Sequence, residues 1–123
     1  MADTVLKENP ALIEASRVDG TAVYNTQGDK LGHVESVMLD KRSGNVAFAI
    51  MSFGGFLGMG EKYHPLPWQS LTYDEDKDGY VVSLTKEQLQ EAPTLDPRDD
   101  GRRLDDATFG RSVYAYYGAP WAW

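Results

Sequence analysis

The stretch from Gly44 to Trp68 constrains the fold more than any other. It opens on the longest uncharged apolar run, Val46-Ala47-Phe48-Ala49-Ile50-Met51-Ser52-Phe53. A glycine-dense passage follows, Gly54-Gly55-Phe56-Leu57-Gly58-Met59-Gly60, and then Pro65-Leu66-Pro67-Trp68. The apolar run is too short for a bilayer, which needs about 20 apolar residues, and it does not alternate. A run of this length, apolar on both faces, is predicted to be a central strand of a β-fold.

The flanking sequence agrees. Thr21-Ala22-Val23-Tyr24 is rich in strand formers, and Asn25-Thr26-Gln27-Gly28-Asp29 has turn composition. From Lys30 to Asp40, Leu31, Val37 and Leu39 share one parity while Val34 has the other. That single break predicts a bulge between Gly32 and Ser36, or partial burial on both faces. Asp40 to Asn45 turns the chain into the apolar run. After the glycines, Glu61-Lys62-Tyr63-His64 reads as a short strand that Pro65 and Pro67 make an edge or a break. Trp68 to Tyr73 resumes strand, Asp74-Glu75-Asp76-Lys77-Asp78-Gly79 makes a hairpin turn, and Tyr80 to Leu84 is the last strand. Thr85-Lys86-Glu87-Gln88 has the form of a capping box, flanked by Leu84 and Leu89 at the positions of a hydrophobic staple; Pro93 ends this short helix. Ala11 to Val18 fits a helical turn or an edge strand. The expected fold is all-β: a small antiparallel barrel of about six strands in meander order, closed so that no edge is left exposed, with a short helix after the last strand.

Beyond the helix, residues 94–106 are a polar linker. Phe109 to Trp123 then carries six aromatic residues in fifteen positions. Such a segment must cover its apolar area, either by completing the core in cis or by contact with a second chain. The expected division is a lead-in over residues 1–11, the barrel over 12–93, and linker plus aromatic tail over 94–123.

Several motifs resemble the PRC-barrel domain: Gly20-Thr21-Ala22-Val23-Tyr24, Gly28 through Asp40, Gly44-Asn45-Val46, Gly54-Gly55-Phe56-Leu57-Gly58 and Pro65-Leu66-Pro67-Trp68. The resemblance runs from about Leu12 to Pro93. Members include the barrel of the photosynthetic reaction centre H subunit, the C-terminal domain of a ribosome maturation factor, and small stand-alone bacterial proteins, which this chain resembles most. It implies a β-barrel used for protein–protein contact, and it brings no catalytic residue with it.

Composition narrows the partners. The 123 residues carry 19 Asp and Glu against 12 Lys and Arg, a net charge of −7, and the basic residues near Arg98, Arg102 and Arg103 are interleaved with aspartates. Nucleic acid and anionic lipid are disfavoured, since both select basic surfaces. There is no cysteine, so thiol chemistry and disulfides are excluded. No basic stretch followed by an apolar one opens the chain, and the expected location is cytoplasmic without membrane insertion.

Chemical motifs read as structural. Gly55 to Gly60 has the spacing of a phosphate loop, yet Glu61 stands where lysine is required. Asp74, Asp76 and Asp78 mimic half of a calcium loop, but Thr85 occupies the position of the bidentate glutamate. A solvated turn is the expected reading there, with a weak cation site as the alternative. His33 and Glu35 share a face of a regular strand, too few ligands for a closed metal site. Each histidine is read as surface or half-buried, with His64 the better pH-sensitive candidate. No serine lies in a nucleophile elbow. The expectation is a non-enzymatic adaptor, homodimeric or bound to another protein, without cofactor or metal. Its candidate interface is Phe53, Phe56, Leu57, Met59, Trp68, Tyr114, Tyr117 and Trp121. The alternative is a barrel that binds an aromatic or tetrapyrrole-like molecule between barrel and tail.

Overall fold

The computed structural model describes residues 12–53, 62–95 and 107–121. Its spine is the hairpin of β2 (Lys30–Leu39) and β3 (Val46–Phe53), antiparallel from Gly32↔Phe53 to Leu39↔Val46. The register shifts between Val34 and Ser36, where the broken parity of β2 places a bulge. The shift lets Leu31 and Val34 reach one core although their parities differ. The connecting turn is tied by Asp40, whose Oδ1 accepts from the Arg42 N–H and whose Oδ2 accepts from the Ser43 hydroxyl. These bonds, led by the one from Arg42, hold the Asp40 carboxyl below the usual carboxylate range.

Strand β4 (Lys62–Pro67) pairs with the far side of β3 and continues through both prolines, opposite Ile50 and Phe48. Of the edge or break expected at the prolines, the structure shows the edge: β4 is the outer strand of the sheet. Pro65 and Pro67 are two residues apart on an edge strand, so both missing N–H groups fall on one side of the strand. Trp68–Ser70 is a 3-10 turn where strand was expected, and β5 begins only at Thr72.

The remaining strands are β1 (Ala22–Asn25), β5 (Thr72–Asp74) and β6 (Gly79–Val82), and the sheet order is β4-β3-β2-β1-β6-β5. Strand β1 pairs parallel with β6, Val23 opposite Tyr80, so the sheet is mixed and not the antiparallel meander expected. The chain leaves one edge, turns over Trp68–Ser70 and enters the other. A flat sheet of six strands would hold its edges about 24 Å apart. Five residue steps from Pro67 to Thr72 span at most about 18 Å. The sheet must therefore curl, although among the described residues β4 and β5 are not paired and the ladder is not closed.

Curling separates two faces, and each has its own core. Inside lie Val18 from helix α1 (Ala15–Val18), Val23, Leu31, Val34, Met51, Leu66, Tyr80 and Val82. Leu89 of helix α2 (Lys86–Gln90) closes this cluster from above, with Leu84 beside it. The expected capping box holds α2 in place: Thr85 Oγ1 accepts from the Gln88 N–H and Gln88 Oε1 accepts from the Thr85 N–H. Outside, Ala47, Phe48 and Ile50 of β3 pack with Leu95, Val113 and Tyr114. The last two lie on helix α3 (Ala107–Tyr116), which the sequence reading left as tail. Both faces of β3 are covered, which is why its sequence does not alternate.

Candidate interaction surface

The aromatic segment is built onto the chain's own sheet. Tyr114, 1% exposed, donates from its hydroxyl to the Ala47 carbonyl at 2.6 Å. Its ring meets Phe48 edge-on at 5.2 Å and Trp121 at 5.1 Å. Helix α3 ends in a Schellman pattern, with the Gly118 N–H on the Ala115 carbonyl and the Ala119 N–H on the Tyr114 carbonyl. This reversal brings Trp121 back across Gly110, where an added Cβ would lie 2.9 Å from Trp121 Cη2. Of the two destinations open to the tail, these residues take the one in cis.

The other candidates are dispersed. Phe53 is half-buried at the end of β3, its ring 5.5 Å from His64. Trp68 is half-buried at the 3-10 turn, 5.5 Å from Tyr80. Tyr117 sits in the seam and packs against both clusters. Phe56, Leu57 and Met59 lie outside the described residues. The structure therefore brings Tyr114, Trp121 and Tyr117 into one segment and leaves Phe53 and Trp68 apart from it.

Polar tips in the segment fall into two sets. The hydroxyls of Tyr114 and Tyr116 donate to backbone carbonyls, of Ala47 and Gln88 respectively. Among the described residues, Tyr117 Oη and Trp121 Nε1 are buried and find no hydrogen-bond partner. Burial, with a smaller contribution from Tyr116, pushes the Tyr117 phenol far up from its ordinary value.

The histidines differ from expectation in one case. His64 is fully buried, since it lies opposite Met51 and so shares the face of the inner core. His33 does reach Glu35, Nε2 to Oε1 at 3.0 Å, with both side chains well exposed. No group of three or more His, Asp or Glu able to hold a metal occurs among the described residues. In the acidic turn, Asp74 Oδ1 accepts from the Asp76 and Lys77 N–H groups. Tyr73 Oη donates to Asp78 Oδ1 at 2.6 Å, and this bond raises the phenol to about 12. Those carboxylates order the hairpin.

Sequence reasoning passed over Tyr73, which is 42% exposed. It faces Tyr80 across the β5–β6 ladder, rings 5.3 Å apart, so an aromatic row Trp68–Tyr80–Tyr73 reaches the open edge of the sheet. The signal was available: the two tyrosines are equidistant from the centre of the acidic turn. Leu12, Ile13 and Leu39 are further exposed apolar residues.

The family model for the PRC-barrel domain matches residues 10–89. This chain belongs to the PRC-barrel family. The matched span runs through all six strands to Leu89, and helix α3 lies beyond it. A protein of Deinococcus radiodurans, described as uncharacterized, is 28% identical to this PRC-barrel chain over 72 residues. The match covers 58% of this chain and 25% of that protein, so the chain spans about a quarter of its relative's length. No helix among the described residues is long and apolar enough to cross a membrane.

Proposed function

We propose that this PRC-barrel protein is a non-enzymatic interaction module that works as a homodimeric adaptor. One observation supports this most directly. Phe53 and Lys62 are ladder partners at the last rung of the β3–β4 hairpin. Half-buried Phe53 and Lys62 therefore end the two strands side by side, and Phe56, Leu57 and Met59, which fall outside the described residues, lie between them in sequence. Apolar side chains in a connection of this kind suit contact with another protein, where aromatic residues and methionine are enriched. Light scattering of the intact chain is expected to give twice the chain mass. A variant with Phe56→Ser, Leu57→Ser and Met59→Ser is expected to run at the single-chain mass with an unchanged circular dichroism spectrum. An intact chain that is monomeric at every concentration would sink the homodimer.

A second reading, a barrel holding an aromatic or tetrapyrrole-like molecule between sheet and tail, has one observation behind it. Tyr117 Oη and Trp121 Nε1 are donors shielded from water with no acceptor among the described residues, and each such group left unpaired costs about 1–3 kcal/mol. A ligand with acceptor atoms in the seam would relieve that cost. Thermal unfolding with added protoporphyrin or aromatic carboxylates is then expected to shift upward, and less so for Tyr117→Phe. No stabilisation by any of them counts against this reading.

A further inference from the structure

The two edges of the sheet are finished in different ways. The β4 edge is blocked: Pro65 and Pro67 lack N–H groups, and the Leu95 N–H donates to the Tyr63 carbonyl at 2.7 Å in an isolated antiparallel bridge. The β5 edge has none of these devices. Thr72–Asp74 contains no proline and has β6 as its one ladder partner, and no described segment pairs with its other side. An unpaired strand edge is a template for another chain unless it is covered.

What surrounds that edge selects its occupant. Tyr73 presents a 42% exposed ring, backed by Tyr80, which is 5% exposed and itself braced by Trp68. The adjoining turn carries Asp74, Glu75, Asp76 and Asp78. Its one cation, Lys77, lies 5.3 Å from the centroid of the Tyr24 ring. The edge is therefore apolar at Tyr73 and acidic at its end, on a chain of net charge −7.

We propose that β5 docks an extended, basic segment of a partner protein by strand addition. Backbone groups of the incoming segment pair along Thr72–Asp74, its lysines or arginines oppose the turn carboxylates, and an alternate apolar side chain rests on Tyr73. The inference builds on the interaction-module reading and names the surface and partner chemistry. A three-residue edge supplies few bonds, so the contact is weak alone and suits transient association.

The test uses the full chain, labelled with nitrogen-15, and an acetylated peptide of alternating Lys and Val. Saturable amide shifts centred on Thr72, Tyr73 and Asp74, with a dissociation constant below about 1 mM, are expected. A peptide N-methylated at every residue keeps the charge but has no N–H to donate to the ladder from either edge, and should bind at least about tenfold more weakly, a difference of about 1.4 kcal/mol. A Glu–Val peptide, and the folded double variant Glu75→Lys/Asp76→Lys titrated with the Lys–Val peptide, should show losses of similar size. Absent or non-saturable shifts, shifts centred elsewhere, or equal binding of the methylated peptide would each overturn the proposal. So would β5 amides already protected from exchange in the free protein, which would mean this chain or a second copy fills the edge. The homodimer stands or falls separately, on mass.

Discussion

Gly32→Ala is expected to be the most damaging glycine-to-alanine change among the described residues. A Cβ at Gly32 would lie 1.8 Å from the Ser52 carbonyl oxygen and 3.0 Å from its carbon. Both are backbone atoms of β3, so no rotamer change removes the clash. Strands β2 and β3 would have to part at the rung where Gly32 faces Phe53, and Gly32 is also paired with Val23 of β1. The shift in register between Val23 and Tyr24 begins here, and that irregularity already uses the local freedom of the backbone. A loss of at least about 3 kcal/mol is expected, at the upper end of overpacking costs, because it breaks two ladders at once. Gly44→Ala provides the comparison. Gly44 has φ +80° with nothing within 4 Å of its added Cβ, so only the left-handed backbone cost of about 1–2 kcal/mol applies. Urea unfolding followed by circular dichroism would rank them. A Gly32→Ala protein no less stable than Gly44→Ala would show that the β2–β3 spacing is not as tight as described.

The fold was legible where local rules and tertiary packing ask for the same thing. The bulge in β2 follows from one residue, Val34, falling off parity. The cap of α2 follows from Thr85 and Gln88, and both of its reciprocal bonds are present. What was missed depends on contacts remote in sequence. Parallel pairing of β1 with β6 joins Val23 to Tyr80, and no turn composition encodes it. Burial of His64 follows from its rung opposite Met51, which becomes visible only once β4 is known to continue through Pro65 and Pro67. Helix α3 was hidden for a different reason. Its aromatics have weak intrinsic helix preference and Gly110 lies inside it, so propensity argues against a helix that Phe48 and Ile50 nevertheless stabilise by packing. The candidate interface divides along the same line. Composition correctly marked the tail as needing cover, but whether cover comes in cis or from another chain is a three-dimensional question.

Tyr114→Ala tests that answer. Tyr114 is the largest fully buried side chain of the outer core and joins three parts of it. Its ring abuts Phe48 of β3 and Trp121, and its hydroxyl is bonded to Ala47. Truncation removes an aromatic at a cost of about 3–5 kcal/mol, the range for large-to-small aromatic changes in a core. Tyr114→Phe keeps the ring and leaves the Ala47 carbonyl without its donor, for about 1–3 kcal/mol. The alanine variant should therefore be the worse of the two. Inner-core residues such as Met51 and Leu89 make no part of this cluster, so the damage should begin in the outer layer. Loss of α3 would bare Phe48 and Ile50, and the Tyr114→Ala chain is expected to bind a hydrophobic dye and to self-associate while keeping its β-sheet signal. Dye binding unchanged from the wild type, together with a stability loss below that of Tyr114→Phe, would mean that α3 is not held by this residue. In that case the aromatic segment would again be free for a second chain, and the homodimer contact would have to be sought there in place of the β3–β4 connection.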